Sequence, residues 1–150
     1  MIKSISKTEC IKILANNYIG HLAYVYGNSP FVVPITYYYD KKSNAIIGYT
    51  GEGHKTKAFE SNKSVALEVA NILSIDHWET VLVHGTYEEL KGPDAKYELH
   101  QFALAVKDLI SEQEQKDYHF IPQFSDKTHP ESQPIVYRIN IEEITGKSRG

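Results

Sequence analysis

The chain has 150 residues, of which 41% are hydrophobic and 23% are charged, a composition typical of one globular domain with its own core. Its formal net charge of -3 and the lack of a long basic run argue against a general nucleic-acid surface. Cys10 is the only cysteine, which excludes an intramolecular disulfide, and the start of the chain lacks the apolar core of a signal peptide. The sequence contains no apolar run of about 18 residues, which is the length that a membrane span needs. We therefore expect a soluble, cytoplasmic domain spanning residues 1–150.

The first third of the chain predicts a short helix and an antiparallel hairpin. Ser6 and Glu9 match the Ser-x-x-Glu capping box that begins a helix. Two runs rich in β-branched and aromatic residues follow, 19–26 and 31–39, and the turn residues between them predict a hairpin. Pro34 cannot donate to a sheet ladder, so the second strand should be bulged or lie at an edge there, where its backbone could face a ligand.

The middle of the chain predicts a strand, a glycine-containing corner and a helix, followed by two more strands. Residues 45–50 form an apolar strand, and 55–61 has the composition of a helix. The segment 65–70 alternates in the manner of a fourth strand, and the β-rich run 78–90 predicts a fifth. Gly85 within that run indicates a bulge or a bend.

The last third predicts the main packing helix, a long loop and a final strand. Pro93 suits the first turn of a helix in which apolar residues recur at helical spacing as far as residue 110. The polar segment 111–134 predicts a loop, and 135–141 alternates as a sixth strand before the tail 144–150. Six strands and few helices predict a mainly β fold with flanking helices, closed as an antiparallel barrel because closure removes exposed strand edges.

The corner between the third strand and the following helix is a candidate anion site. Gly51 and Gly53 permit positive φ and the close approach of a ligand to the backbone. The helix that follows would direct unpaired N–H groups toward the loop, and Lys55 adds a positive charge. A phosphate would fit there. The alternative is an ordinary solvated turn between a strand and a helix.

Other residue types with chemical potential favour structural roles. The seven histidines include no pair at the close spacing of a helical or knuckle-type site, so we expect no metal centre. Cys10 lies in the apolar stripe of the first helix, and no serine occupies a Gly-x-Ser-x-Gly elbow. Eleven tyrosines, including Tyr37, Tyr38 and Tyr39, could stack on bases or on a planar cofactor. The acidic balance favours a planar ligand with one phosphate over single-stranded nucleic acid.

Four motifs occur in order between residue 19 and about residue 90. They are Ile-Gly-His-Leu-Ala at 19–23, Val-Val-Pro-Ile-Thr-Tyr at 32–37, Gly-Tyr-Thr-Gly-Glu-Gly-His-Lys at 48–55, and Trp-Glu-Thr-Val at 78–81 with Gly85. Ile-Thr-Gly-Lys at 144–147 accompanies them. As a group, these residues resemble the flavin-binding split-barrel family related to pyridoxamine 5'-phosphate oxidase, and within it the branch that includes the 5-nitroimidazole reductases.

The resemblance implies a six-stranded antiparallel split barrel that forms a homodimer, with FMN in pockets to which both subunits contribute. The second strand would line the isoalloxazine edge, the end of the third strand would flank the ring and ribityl chain, and Lys55 would hold the phosphate. Trp78 and Thr80 would reach the pocket from the partner's side, although Trp78 could equally be a core residue. Lys147 is a further candidate for the phosphate end. The implied cofactor-binding residues are Val33, Pro34, Ile35, Thr36, Tyr49, Thr50, Gly53, His54, Lys55, Trp78, Thr80 and Lys147.

One position departs from the family pattern. The nitroimidazole reductases have histidine where this sequence has Tyr49, so the resemblance does not imply drug reduction. No counterpart of the substrate-binding segment of pyridoxamine phosphate oxidase follows Ile141. Related split barrels bind haem or a deazaflavin instead of FMN.

The expected function is that of an FMN-dependent oxidoreductase acting on an unknown small molecule, because flavin chemistry needs no catalytic dyad from the protein. The sequence identifies no catalytic residue. The alternative is a non-catalytic flavin or haem carrier or sensor with the same fold, and an absorbance spectrum would separate flavin from haem.

Overall fold

A computed structural model describes residues 1–51, 54–114 and 135–150, apart from the side chains of His54 and Glu114. Within these ranges the chain forms seven strands and three helices. In chain order they are β1 Ile2–Ser4, α1 Lys7–Ala15, β2 Ile19–Tyr26, β3 Ser29–Asp40, β4 Ala45–Thr50, α2 His54–Ser61, β5 Ser64–Ser74, β6 His77–Glu89, α3 Gly92–Glu114 and β7 Ile135–Arg149. The mainly β architecture with flanking helices that the sequence predicts is confirmed.

Six of the strands close into an antiparallel barrel. Hydrogen-bonded neighbours follow the order β7-β4-β3-β2-β5-β6, and β6 pairs with β7 to complete the ring. β1 lies outside the ring and pairs with the end of β7, with Ile2 opposite Arg149. The predicted six-stranded barrel is therefore confirmed. The sequence did not reveal β1, because three residues are too few to show an alternation.

The interior of the barrel is filled from the strands and from the two shorter helices. α1 contributes Cys10 and Leu14 to the buried cluster, and the hydroxyl of Tyr37 donates to the carbonyl oxygen of Leu14 at 2.9 Å. α2 contributes Phe59, whose ring stacks on Tyr87 with 3.9 Å between centroids. Both helices thus pack their apolar side chains into the same buried cluster as the strands.

The long helix α3 covers one outer face of the barrel. Its buried residues Phe102, Val106 and Ile110 pack against Ala45 and Ile47 of β4. β4 is therefore buried on both sides, which is why it reads as a continuous apolar run with no alternation. In the described part of the chain, neither α3 nor a shorter helix has the length and apolarity needed to cross a membrane.

The structure corrects two element boundaries. α3 continues through Glu114, four residues into the segment predicted as a loop, and 115–134 lies outside the described residues. β7 continues to Arg149, so the predicted tail is a strand between β1 and β6. Gly146 in this strand is buried, and a Cβ there would lie 2.6 Å from the Sγ of Cys10. The glycine that resembles a loop residue is needed for the close packing of α1.

Candidate functional site

The centre of β3 has an open edge. On one side β2 pairs along it, with Ile19 opposite Thr36 and His21 opposite Pro34. On the other side β4 pairs with β3 only over the stretch 37–40, as far as the described residues show. Pro34 thus lies at an edge without a bulge, the second of the two arrangements that its missing N–H predicted. Backbone groups of 33–36 that point away from β2 have no described strand partner.

The predicted site residues on β3 divide between the two sides of the barrel wall. Ile35 faces the interior and belongs to the core, and Val33 packs against that core. Only the backbone of these two residues could contact a ligand outside the barrel. Pro34 is exposed and Thr36 is partly exposed, and both lie on the outer side of the wall. Thr36 therefore offers the only hydroxyl of this group of four.

Tyr49 and Thr50 end β4 beside this edge. The ring of Tyr49 packs edge-on against Phe102 of α3, with 5.5 Å between centroids, and burial raises the pKa of its hydroxyl. The hydroxyl of Thr50 donates to the carbonyl oxygen of Gly51 at 3.2 Å. Gly51 does not use the positive φ that glycine permits, and no described atom lies within 4 Å of the place where a Cβ would be. Its small size leaves open space at the corner.

Lys55 is a half-buried cation in the first turn of α2. Burial lowers the pKa of its ammonium group, because desolvation disfavours the charged form. Among the residues that the structure describes, no carboxylate lies within 4.0 Å of this ammonium group. The unpaired N–H groups at the start of a helix also favour an anion. Gly53 and the side chain of His54, the other predicted residues of this corner, lie outside the described part.

Trp78 and Thr80 lie far from Lys55 within one chain. Both are near the beginning of β6, whereas Tyr87 is near its end, where α2 packs through Phe59. At about 3.3 Å per residue, Thr80 and Tyr87 are roughly 23 Å apart along the strand. The structure therefore does not bring the two groups of predicted residues together in a single subunit.

Trp78 lines a cleft and does not pack in the core. Within the described ranges it belongs to neither of the two apolar clusters. Together with Ile72 and Arg149 it lines a cleft of about 590 Å³, a volume in the range of small-molecule sites. Lys147 lies two positions before Arg149 on β7, and its ammonium group donates to the hydroxyl of Ser4 at 3.0 Å. Trp78 is therefore not a core residue, and its contribution to a partner's pocket stays a prediction.

A surface of the barrel that no described segment covers, which we call the open face, connects the two groups. Its outward-facing residues on β3, β2, β5 and β6 are Val32, Pro34, Thr36, Ile19, His21, Glu68, Ala70, Ile72, Trp78, Thr80 and Leu82. Ile72 is 71% exposed and Val32 is 66% exposed. A second cleft of about 460 Å³ between β2 and β5 shares Ala70 and Ile72 with the first. The open face is therefore a continuous, largely apolar surface with clefts in it.

The open face also carries an ionisable pair that is not apparent from the sequence. The Nδ1 of His21 lies 3.8 Å from the Oε1 of Glu68, and both side chains are about half exposed. The alternation in β2 and β5 could have placed each residue outward, but their pairing depends on a strand register that composition does not give. Within the described ranges, no three His, Cys, Asp or Glu side chains are grouped to hold a metal ion.

The sequence matches the family model described as pyridoxamine 5'-phosphate oxidase over residues 6–148. An uncharacterized protein of Rhizobium meliloti (strain 1021) is 29% identical over 108 residues, which cover 71% of this chain and 70% of that protein.

Two solved structures have the same fold. A FAD-binding protein from Mesorhizobium loti has a TM-score of 0.74 and 23% identity, covering 100% of this chain and 99% of that one. A candidate 5-nitroimidazole antibiotic resistance protein from Bacteroides thetaiotaomicron has a TM-score of 0.71 and 16% identity, with coverages of 99% and 89%. Because the family match spans nearly the whole chain and the barrel has this fold, the chain belongs to the pyridoxamine 5'-phosphate oxidase family.

Proposed function

We propose that the protein binds FMN beside the open edge of β3 and transfers electrons between this flavin and a small molecule. Lys55 is the observation that carries the proposal, since it is half buried, has no described carboxylate partner and lies at a helix start. A phosphate group would supply the missing counter-ion. Family membership and the FAD-binding relative support a flavin as the molecule that brings this phosphate.

The bound flavin would supply the redox chemistry, while the protein holds and orients it. Backbone groups at the open edge, from Val33 to Thr36, would bond the polar rim of the ring. Tyr49 and Thr50 would flank the ring and the ribityl chain, with Tyr49 fixed in place by Phe102. α3 would thus hold one wall of the pocket, so that the ring meets a surface that is already ordered.

We further propose that a second copy of the chain covers the open face. Exposed apolar side chains such as Ile72 and Val32 support this, because contiguous apolar surface on a soluble protein marks an interaction site. Trp78, Thr80 and Lys147 lie too far from Lys55 to share its pocket in one chain. In a symmetric dimer they would instead approach the partner's flavin.

Binding of FMN, FAD and riboflavin to the wild type and to Lys55→Met tests the phosphate assignment. The methionine keeps the half-buried apolar stem and removes the charge. Loss of one charge-assisted contact should weaken FMN binding by about 1.5 to 3 kcal/mol, which raises its dissociation constant about 10-fold to 150-fold. The dissociation constant of riboflavin should change little. FAD would show whether the site accepts a pyrophosphate. Lys57→Met, at an exposed position of the same helix, should leave all three affinities unchanged.

Equal losses for FMN and riboflavin in Lys55→Met would remove Lys55 from the phosphate site. An absorbance spectrum of the purified protein would show haem in place of flavin if the protein is a haem carrier or sensor. A flavoprotein whose reduced form is reoxidised by no acceptor faster than free FMN would favour a carrier or sensor over an enzyme.

The pH dependence of FMN affinity gives a second test. Burial lowers the pKa of Lys55, so its charge is lost at a lower pH than that of an exposed lysine. FMN binding favours the charged form, and affinity should therefore be full below this pKa and fall as pH rises through it. Measurements above about pH 7.5 keep the phosphate dianionic. Riboflavin affinity, and FMN affinity in Lys55→Met, should be flat over the same range.

A further inference from the structure

His21 and Glu68 form an ionisable pair within the apolar open face. They are direct cross-strand neighbours in β2 and β5, and the Nδ1 of His21 lies 3.8 Å from the Oε1 of Glu68. Ile19, Ala70 and Ile72 line the same cleft of about 460 Å³. A half-exposed imidazole with a carboxylate on one nitrogen and an apolar cleft around it can exchange a proton with a bound molecule.

The pair lies beside the flavin site proposed above. On its other side His21 is opposite Pro34, whose strand has the open edge. Because cross-strand neighbours have Cβ atoms about 4.5–5.5 Å apart, the imidazole is adjacent to the edge assigned to the ring. The Nδ1 faces Glu68, which leaves Nε2 as the nitrogen available to a substrate.

We propose that His21 donates a proton to a substrate reduced in this cleft between β2 and β5, which the second copy of the chain would cover without filling, and that Glu68 acts as the positioning residue for its imidazole. This inference rests on the proposed function, in which the reduced flavin supplies a hydride. For a quinone-type substrate, the hydride provides two electrons and one hydrogen, and His21 provides the one remaining proton from Nε2, so that the hydroquinone forms. The imidazole is left neutral and regains its proton from solvent, and an external nicotinamide reduces the flavin again.

Two electron acceptors with different proton requirements separate this role from a structural one. FMN-loaded protein, reduced anaerobically, is mixed with menadione, which takes up protons, or with ferricyanide, which takes up only an electron. In His21→Gln the menadione rate should fall about 100-fold, the lower end of what a general acid contributes, while the ferricyanide rate stays unchanged. Glu68→Gln should also lower the ratio of the menadione rate to the ferricyanide rate, by a smaller factor than His21→Gln. His84→Gln, another exposed position on the barrel wall, should change neither rate.

A labelling measurement tests the location without using activity. Diethyl pyrocarbonate should modify both His21 and His84 in flavin-free protein, as read by mass spectrometry of the peptides. FMN should protect His21, which lies beside the proposed ring site, and leave the modification of His84 unchanged.

The outcomes distinguish this proposal from the one it rests on. If His21→Gln lowers both acceptor rates equally, or leaves the menadione rate unchanged, His21 is not the proton donor although the flavin assignment stands. If FMN fails to protect His21, the pair is not at the ring. If the wild type does not bind FMN in the preceding titration, the proposed function is wrong and this proposal is lost with it.

Discussion

The two outer faces of the same barrel wall are covered in different ways. Over β3, β4 and β7, α3 buries Phe102 and Val106 against the strands. Over β3, β2, β5 and β6, Ile72 and Val32 remain largely exposed. Closing a sheet into a barrel removes its edges, but it leaves the outer faces to be covered separately. Here α3 covers one face, whereas the described residues place no element over the open face.

The polar groups on the two faces differ as well. Under α3, Glu98 is only 5% exposed, and its carboxylate accepts a hydrogen bond from the Tyr38 hydroxyl at 3.2 Å. Burial, followed by the nearby charge of Asp40, raises the pKa of Glu98. On the open face, His21 and Glu68 are half exposed. A face sealed within the chain thus holds a carboxyl group with a perturbed pKa, whereas the open face presents its ionisable pair to solvent or to a ligand.

The largest expected effect comes from the face covered by α3. Phe102→Ala removes a buried ring and should lower the free energy of unfolding by about 3 to 5 kcal/mol. Leu104→Ala, at an exposed position of the same helix, should change it by less than about 0.5 kcal/mol. Denaturant unfolding of both variants at one protein concentration would check this. A similar loss in both would mean that α3 is not anchored through Phe102.

On the open face, a charge should disrupt association and leave the fold intact. Ile72→Asp would place an unpaired carboxylate in the proposed interface at a cost of about 3 kcal/mol, which raises the dimer dissociation constant roughly 100-fold. Sedimentation should show the wild type at twice the 17.1 kDa chain mass and the variant as a monomer. Leu104→Asp is the matched control, and its mass should equal that of the wild type. A wild type that is monomeric at every concentration and still binds FMN tightly would contradict the shared pocket.

The buried carboxyl group under α3 should make stability depend on pH. Because the pKa of Glu98 is raised in the folded state, folding favours the protonated form. The stabilising contribution is therefore present at a pH below the ordinary value of 4.5 and is lost as pH rises through the folded pKa. Glu98→Gln should remove this decline, so the variant gains melting temperature relative to the wild type from about pH 4 to pH 7. Glu112→Gln, an exposed position on α3, should follow the wild type.

The smallest effect is expected where the two regions meet. Tyr49→Phe keeps the ring that packs on Phe102 and removes only the hydroxyl, so the variant should still bind FMN. A neutral hydrogen bond is worth about 0.5 to 1.5 kcal/mol, which limits the change in affinity to roughly 10-fold. Fluorescence titration would measure it. A folded variant that purifies without flavin would show that the hydroxyl has a binding role.

The sequence predicts β2 and β4 with the bounds that the structure has, since each is a β-rich run with turn or glycine residues beside it. The sequence predicts a bulge or a bend at Gly85, and the register between β6 and β7 does shift beside it, although the extra residue, Glu142, lies in β7. The end of β7 was missed for a physical reason. The residues after Ile141 pair with two strands, but α1 buries this part of β7 only near Gly146. Apolar and polar residues therefore do not alternate there.

The candidate site was less predictable than the fold. The motifs identified candidate residues but not the directions of their side chains. Because β4 is buried on both sides, its sequence cannot show that Tyr49 faces α3. Similarly, nothing local to Trp78 indicates that it lies at the far end of β6 from α2. The pairing of His21 with Glu68 requires the register between β2 and β5, a long-range property. Which side chains meet is decided by the closure of the barrel.

The order of the strands around the barrel has a consequence for biosynthesis. β7 fills the gap between β4 and β6, so the edge of β4 that faces away from β3 cannot pair until β7 has been synthesised. Until then a nascent chain has two unpaired strand edges, which can pair with other chains. Contacts of such long sequence separation also form slowly. Chaperones that bind exposed strands would therefore have their main opportunity on the ribosome, in the interval before the final strand emerges.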